Sequence, residues 1–170
     1  AKSVSVPIQC GGGIRDEKII KRLLKSGVKR VVLGTKAIEN LEFLRKIIKR
    51  FKNKIAVSID EQKGIIAIRG WRKKTNINKK IFLKKLKEAG LKVLIYTDIS
   101  LDGMLQGPNI SGIKKTLNLA KIPMIASGGI SSLEDIKKLK KIEKKGVVGV
   151  IIGKALYENK FSLKEALEIA

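Results

Sequence analysis

At 170 residues, 44% of them hydrophobic and only three proline, the chain is long enough for one domain with a sizeable core and too apolar for a disordered segment. It has no histidine and a single cysteine, Cys10, which excludes Ser-His-Asp and Cys-His nucleophiles, an internal disulfide and most zinc sites, so acid–base chemistry must run on Asp, Glu, Lys, Tyr or water. The net charge of +23 suits an acidic partner, but the lysines are spread over nearly every amphipathic segment and aromatics are only 4%; the charge reads as solvated helix faces that help attract a phosphorylated ligand, not as a nucleic-acid surface.

In chain order, Val4 to Gln9 reads as a strand, with Cys10 as a small residue closing it rather than a reactive thiol. Asp16 to Ser26 reads as a helix with Ile19, Ile20, Leu23 and Leu24 on one face and Gly27 as its stop. Val31 to Gly34 is a strand and Leu41 to Phe51 a helix. Ile55 to Asp60 is a third strand, and Ile65 to Trp71 an extra extended segment after it. Lys79 to Ala89 is helical and stops at Gly90. Val93 to Thr97 is a strand followed by a loop rich in Gly and Asp, then a weaker helix over Ile110 to Leu119. Pro123 to Ala126 is a strand, Leu133 to Lys144 a helix, Val147 to Ile152 a strand, and Leu163 to Ile169 a short closing helix. No apolar run approaches the roughly 18 residues of a membrane span, and the stretch before Pro7 is too short for a signal peptide, so the expectation is a cytoplasmic protein with no membrane partner.

Six β/α units in strict alternation predict an α/β fold with a parallel sheet, its apolar strands covered by helices, in a single domain over 1–170. A two-unit module is repeated. Gly12-Gly13-Ile14 and Gly128-Gly129-Ile130 each open a helix after a strand, and the next strand ends at Gly34-Thr35-Lys36-Ala37 and at Gly153-Lys154-Ala155. The offset is 116 residues at the first motif and 119 at the second, so the second copy carries three more residues. In a closed barrel the two modules would face each other. A (β/α)8 TIM barrel has eight units and about 250 residues, two units more than are present here.

The glycine turns place backbone N–H groups at helix starts, where an anion is favoured. Gly12, Gly13 and Arg15 with Gly34 and Thr35 form one candidate phosphate site; Gly128 and Gly129 with Gly153 and Lys154 form the other. Together they imply a small molecule with a phosphate at each end. A P-loop and a dinucleotide fingerprint are both absent. Among carboxylates, Asp60 ends a strand without opening a helix and is read as an acid or base. Asp98 and Asp102 follow the Val93–Thr97 strand, and Asp98 stays open between catalysis and turn formation.

The run Tyr96-Thr97-Asp98-Ile99-Ser100-Leu101-Asp102-Gly103-Met104-Leu105-Gln106-Gly107-Pro108-Asn109 closely resembles the signature of the phosphoribosylformimino-aminoimidazole-carboxamide ribotide isomerases of histidine biosynthesis. So do Val57 to Asp60 followed by Ile68-Arg69-Gly70-Trp71, the two glycine turns, and Gly153 to Glu158. The resemblance runs the length of the chain. It implies a TIM barrel and an Amadori rearrangement of an aminoaldose to an aminoketose, with no metal and no redox cofactor. It also implies a proton donor at Asp60, hydrogen bonding or protonation of the opening sugar by Thr97 and Asp102, and Trp71 over the carboxamide–imidazole part. Trp71 could instead be a half-buried loop aromatic. Gly107 joins Gly12, Gly13, Arg15, Gly34, Thr35, Gly128, Gly129, Gly153 and Lys154 among the substrate-binding residues. The family's other aspartate, the proton acceptor, lies on its first strand; this sequence aligns from the third. The expectation is therefore an incomplete barrel of six units, poorly active by itself, monomeric when complete and prone to self-association otherwise. The sister cyclase of the same pathway shares the glycine turns but would carry a different sequence after Asp60. A non-catalytic phosphosugar-binding fragment and a nucleic-acid binder are the remaining alternatives.

Overall fold

The computed structural model describes all 170 residues. Eight strands and eight helices follow in chain order: β1 (Gln9–Gly11), α1 (Glu17–Lys25), β2 (Arg30–Leu33), α2 (Thr35–Glu39), α3 (Leu41–Phe51), β3 (Ile55–Gln62), β4 (Ile65–Ile68), β5 (Lys73–Lys74), α4 (Lys79–Glu88), β6 (Leu94–Asp98), α5 (Ile110–Ala120), β7 (Met124–Ser127), α6 (Leu133–Lys140), β8 (Val147–Ile151), α7 (Lys154–Tyr157) and α8 (Leu163–Ile169). Six strands pair in parallel in the order β1-β2-β3-β6-β7-β8, while β4 and β5 form an antiparallel ribbon on the end of β3. The β1 and β8 edges do not meet, so the molecule is a curled, parallel α/β sheet of barrel type that is open along one side.

Strand alternation separates two apolar layers. Odd-numbered β3 residues (Ile55, Val57, Ile59) join Leu94, Tyr96, Met124 and the helix faces in a core of 35 buried residues. Even-numbered Ala56, with Val93, Ile95 and Ile125, forms a separate cluster of four on the inner side, with Val32 beside it. On β8 at the open edge, Val148 is 57% exposed.

Helix starts follow side-chain caps. Asp16, Asn40, Asn78, Asn109 and Ser132 each accept the backbone N–H of the third residue of the helix that follows, and Ser162 and Glu165 complete a capping box on α8. Three expectations are corrected. The first strand spans Gln9–Gly11 instead of Val4 to Gln9, because only those residues lie opposite Arg30–Val32; Val4 and Val6 stay exposed beyond the sheet. The extended segment from Ile65 breaks after Ile68: Arg69, Gly70 and Trp71 all have positive φ (58, 63 and 69°) and turn the chain into β5. The helix from Leu133 ends at Lys140, and Glu143–Lys145 is a separate turn of 3-10 helix.

Candidate functional site

The repeat seen in the sequence is also a repeat of backbone conformation. Gly34 and Gly153, which open the short helices α2 and α7, have φ/ψ of −107/−108° and −109/−102°. Gly12 and Gly13 have φ of +106 and +64°, and Gly128 and Gly129 have +92 and +80°, a region open to glycine at little cost. Each module therefore builds the same pair of turns at the C-terminal ends of two adjacent strands, and the modules occupy the two ends of the sheet.

The first pair of turns borders a cleft of about 1070 Å³ lined by Gly12, Gly13, Arg15, Gly34, Thr35, Lys36, Ser58, Asp60, Arg69 and Arg72 among others. The second borders a small pocket of about 70 Å³ lined by Asp102, Gly103, Leu105, Ser127, Gly128, Gly129, Gly153 and Lys154 among others. Cations stand at both: Arg15, Lys36 and Arg72 at the first, Lys154 at the second. Sheet register joins the two ends, because Asp60 pairs with Thr97 and Thr97 with Ser127 across β3, β6 and β7. Asp60 and Thr97 thus sit side by side at the strand ends, between the modules, with Thr97 lining neither cavity.

Asp60 is held from two sides. The Ser58 hydroxyl donates to its Oδ1 at 3.0 Å, and the Trp71 indole N–H donates to its Oδ2 at 2.7 Å. Trp71 is 46% exposed and reaches Asp60 because β4 runs back along β3, with Ala67 opposite Asp60, and the three left-handed residues that follow β4 turn the chain there. That ribbon is fastened to α2: the Arg69 amide donates to Thr35 Oγ1 at 2.8 Å, and its guanidinium pairs with Glu39 at 3.0 Å. Gly107 lines neither cavity; its amide donates to the Gly129 carbonyl at 2.9 Å, so it carries the loop against the second turn. Ser58 escaped the sequence reading although it lies two residues before Asp60 on one strand, the spacing that puts both on one face.

Behind the strand ends lies a buried polar cluster that the sequence reading did not single out. Glu61 faces the helix layer and forms an ion pair with Lys79, the first residue of α4; the Lys79 ammonium also donates to Thr116 at 2.9 Å and sits 5.4 Å from the Tyr96 ring centre. The Tyr96 hydroxyl is buried without a hydrogen-bond partner, and burial, with the Glu61 and Asp98 carboxylates, pushes its pKa well above the ordinary phenol value. Asp135 sits under the second glycine turn. Burial acts to raise its pKa, but hydrogen bonds from Ser131 and Lys138 outweigh that and hold it below the usual carboxylate value.

Residues 1–162 match the family model described as "Histidine biosynthesis protein". The chain is 44% identical to a protein of Clostridioides difficile (strain 630) over 99% of this chain and 69% of that protein. It is 48% identical to one of Lachnoclostridium phytofermentans over 99% and 70%, and 44% identical to one of Thermoanaerobacter pseudethanolicus over 100% and 70%. All three bear the name 1-(5-phosphoribosyl)-5-((5-phosphoribosylamino)methylideneamino) imidazole-4-carboxamide isomerase.

Proposed function

This chain belongs to the histidine biosynthesis protein family, and we propose from that premise that it carries the intramolecular aldose–ketose isomerase of the pathway, an enzyme acting by Amadori rearrangement on a bis-phosphorylated aminoimidazole-carboxamide aminoaldose. The observation that carries the reading is the placement of Asp60 and Thr97 between two matching glycine-turn sites, one for each phosphate of such a ligand. The first phosphate meets the amides of Gly12, Gly13 and Gly34 with Arg15 and the Thr35 turn. The second meets Gly128, Gly129, Gly153 and Lys154.

Asp60 delivers a proton to the ribose ring oxygen, the ring C–O bond breaks, and the nitrogen lone pair forms the Schiff base. Ser58 and Trp71 orient the carboxyl for that transfer. Thr97 and Asp102 hold the opening sugar hydroxyls, and Trp71 covers the carboxamide–imidazole part. A base then removes the C2 proton, and the resulting enaminol becomes the ketose. The family's first-strand aspartate does this last step, and no residue among these 170 matches it. The open sheet is on this reading six units of an eight-unit barrel in a single domain, and two further β/α units between β8 and β1 close it. The chain spans about 70% of the length of the relatives named above, and no helix is long and apolar enough to cross a membrane.

Turnover of the aminoaldose by these 170 residues is to be compared with turnover after two β/α units bearing that aspartate are joined to them. Turnover only in the completed protein, lost again with Asp60→Asn, is the expected result. No turnover in either, or action on the ketose product alone, would overturn the isomerase reading in favour of a cyclase-like or merely binding protein.

A further inference from the structure

The loop between β6 and α5 carries Asp102, yet Asp102 makes no side-chain hydrogen bond and no ion pair, so the loop backbone alone decides where its carboxylate stands. That loop is fastened at its base by two residues that face away from the cleft. Asp98, the last residue of β6, points into the helix layer, opposite to Thr97, and is only 8% exposed. It has no cationic partner. Its Oδ1 accepts the Ser100 amide at 3.0 Å and its Oδ2 accepts the Asn109 side-chain amide at 2.7 Å. Asn109 uses its other end to accept the Gly112 amide and the Ser111 hydroxyl, both at 2.9 Å, and so caps α5. A single pair of side chains thus ties the end of β6 to the start of α5 across residues 99–108.

What the tie holds in place is the second glycine turn as well as the loop. A Cβ on Gly128 would stand 2.7 Å from the Asp98 carbonyl oxygen, so turn and loop base are in direct contact. The Gly107 amide donates to the Gly129 carbonyl, and the Lys154 ammonium donates to the Gly103 carbonyl at 3.3 Å. A buried carboxylate without a cation is disfavoured unless hydrogen bonds replace its hydration, and here both oxygens are spent on the two ends of one loop.

We infer that Asp98 and Asn109 form a latch whose role is to position Asp102 and to seat its loop on the Gly128–Gly129 turn. They are positioning residues that touch no substrate, and the inference rests on the reading of that turn as the second phosphate end. The pair can be reversed. Asp98→Asn sets amide against amide, and Asn109→Asp sets carboxylate against carboxylate. In the double variant the amide at position 98 donates to the carboxylate at 109, which still accepts from Gly112 and Ser111, while the oxygen at 98 still accepts from Ser100.

Two readouts on the parent and these variants test the latch: amide hydrogen exchange over residues 99–107, and titration with inorganic phosphate followed at the amides of Gly128 and Gly153 against Gly12 and Gly34. Each single variant is expected to speed loop exchange about tenfold to a hundredfold, the scale set by one hydrogen bond to a charged group. Each weakens phosphate at the second turn and leaves the first unchanged, and the double variant restores both. Unchanged loop exchange in the single variants, no rescue in the double, or equal weakening at both turns would overturn the latch; the last is what a general loss of stability produces. Phosphate binding at neither turn of the parent would instead overturn the phosphate reading, and loop exchange with its rescue then decides the latch alone.

Discussion

Alanine placed at the last glycine of each turn separates two reasons for a glycine. Gly13 and Gly129 occupy the same repeat position with φ of +64 and +80°, so an alanine at either carries a left-handed penalty of about 1–2 kcal/mol. Their surroundings differ. A Cβ on Gly13 meets nothing within 4 Å, whereas on Gly129 it lands inside contact distance of the Gly107 carbonyl, 3.0 Å from its carbon, and 3.1 Å from Leu101 Cβ. The obstacle is backbone, which cannot rotate aside, so the loop or the turn must move, at a further cost of about 1–3 kcal/mol. Gly13→Ala is therefore expected to destabilise by about 1–2 kcal/mol and Gly129→Ala by about 2–5 kcal/mol. Urea unfolding measures this as a shift in midpoint at unchanged slope. Equal losses at the two positions would refute the argument that close approach of the Asp102 loop is what demands a glycine at 129.

In the protein completed with the two further β/α units, Asp60→Asn is expected to lower turnover by about 10²–10⁴-fold and Ser58→Ala by about tenfold, since on the proposed mechanism the first removes the proton donor and the second one hydrogen bond to it; steady-state kinetics at saturating aminoaldose compare them, and a larger loss at Ser58 would contradict the assignment. Asp135 has a folded pKa below its ordinary value of 3.8, so its contribution to stability is complete above that value and is lost as pH falls through the lower folded one. The stability gap between the parent protein and Asp135→Asn should be constant from neutral pH to about 5 and close at lower pH, read by thermal unfolding at each pH; a gap independent of pH would show that the carboxylate charge is irrelevant. Lys79→Met leaves the Glu61 carboxylate buried without its cation and should cost about 3–5 kcal/mol, most of it recovered when Glu61→Leu is added. Chemical denaturation of the single and double variants checks this, and additive losses would refute it.

The alternation of six strands with helices was legible because the strands are apolar runs and the helices keep a 3.6-residue period; α3 begins and ends where its pattern predicts. The paired glycine turns were legible too, since glycine takes the left-handed φ values that both share at little cost. What escaped was decided by partners distant in sequence. Val4 to Pro7 has strand-like composition, but a strand exists only where another lies beside it, and β2 reaches only Gln9 to Gly11. The Arg69–Trp71 turn is set by contacts with Thr35, Glu39 and Asp60, 11 to 34 residues away in sequence. The Glu61–Lys79–Thr116 cluster joins three separate elements, so no local spacing announces it. Asp98 was ambiguous for the same reason, as its partner Asn109 lies at the far end of a loop.

On the proposed reading of both turns as phosphate sites, the two glycine modules at opposite ends of one curled sheet make the protein a caliper. Its jaws are the repeated turns, and its arms are β3 and β6, which carry neither of those turns. The gap between the jaws is fixed by how strongly the middle strands twist and coil, so the middle of the sheet selects ligands by length while the jaws select them by charge. A ligand that spans the gap has its second phosphate delivered at the high local concentration set by the first; one too short is gripped by one jaw at a time and keeps only single-site affinity. Side chains packed beneath the central strands, Tyr96 and Leu94 among them, would on this view tune substrate choice without ever meeting the substrate.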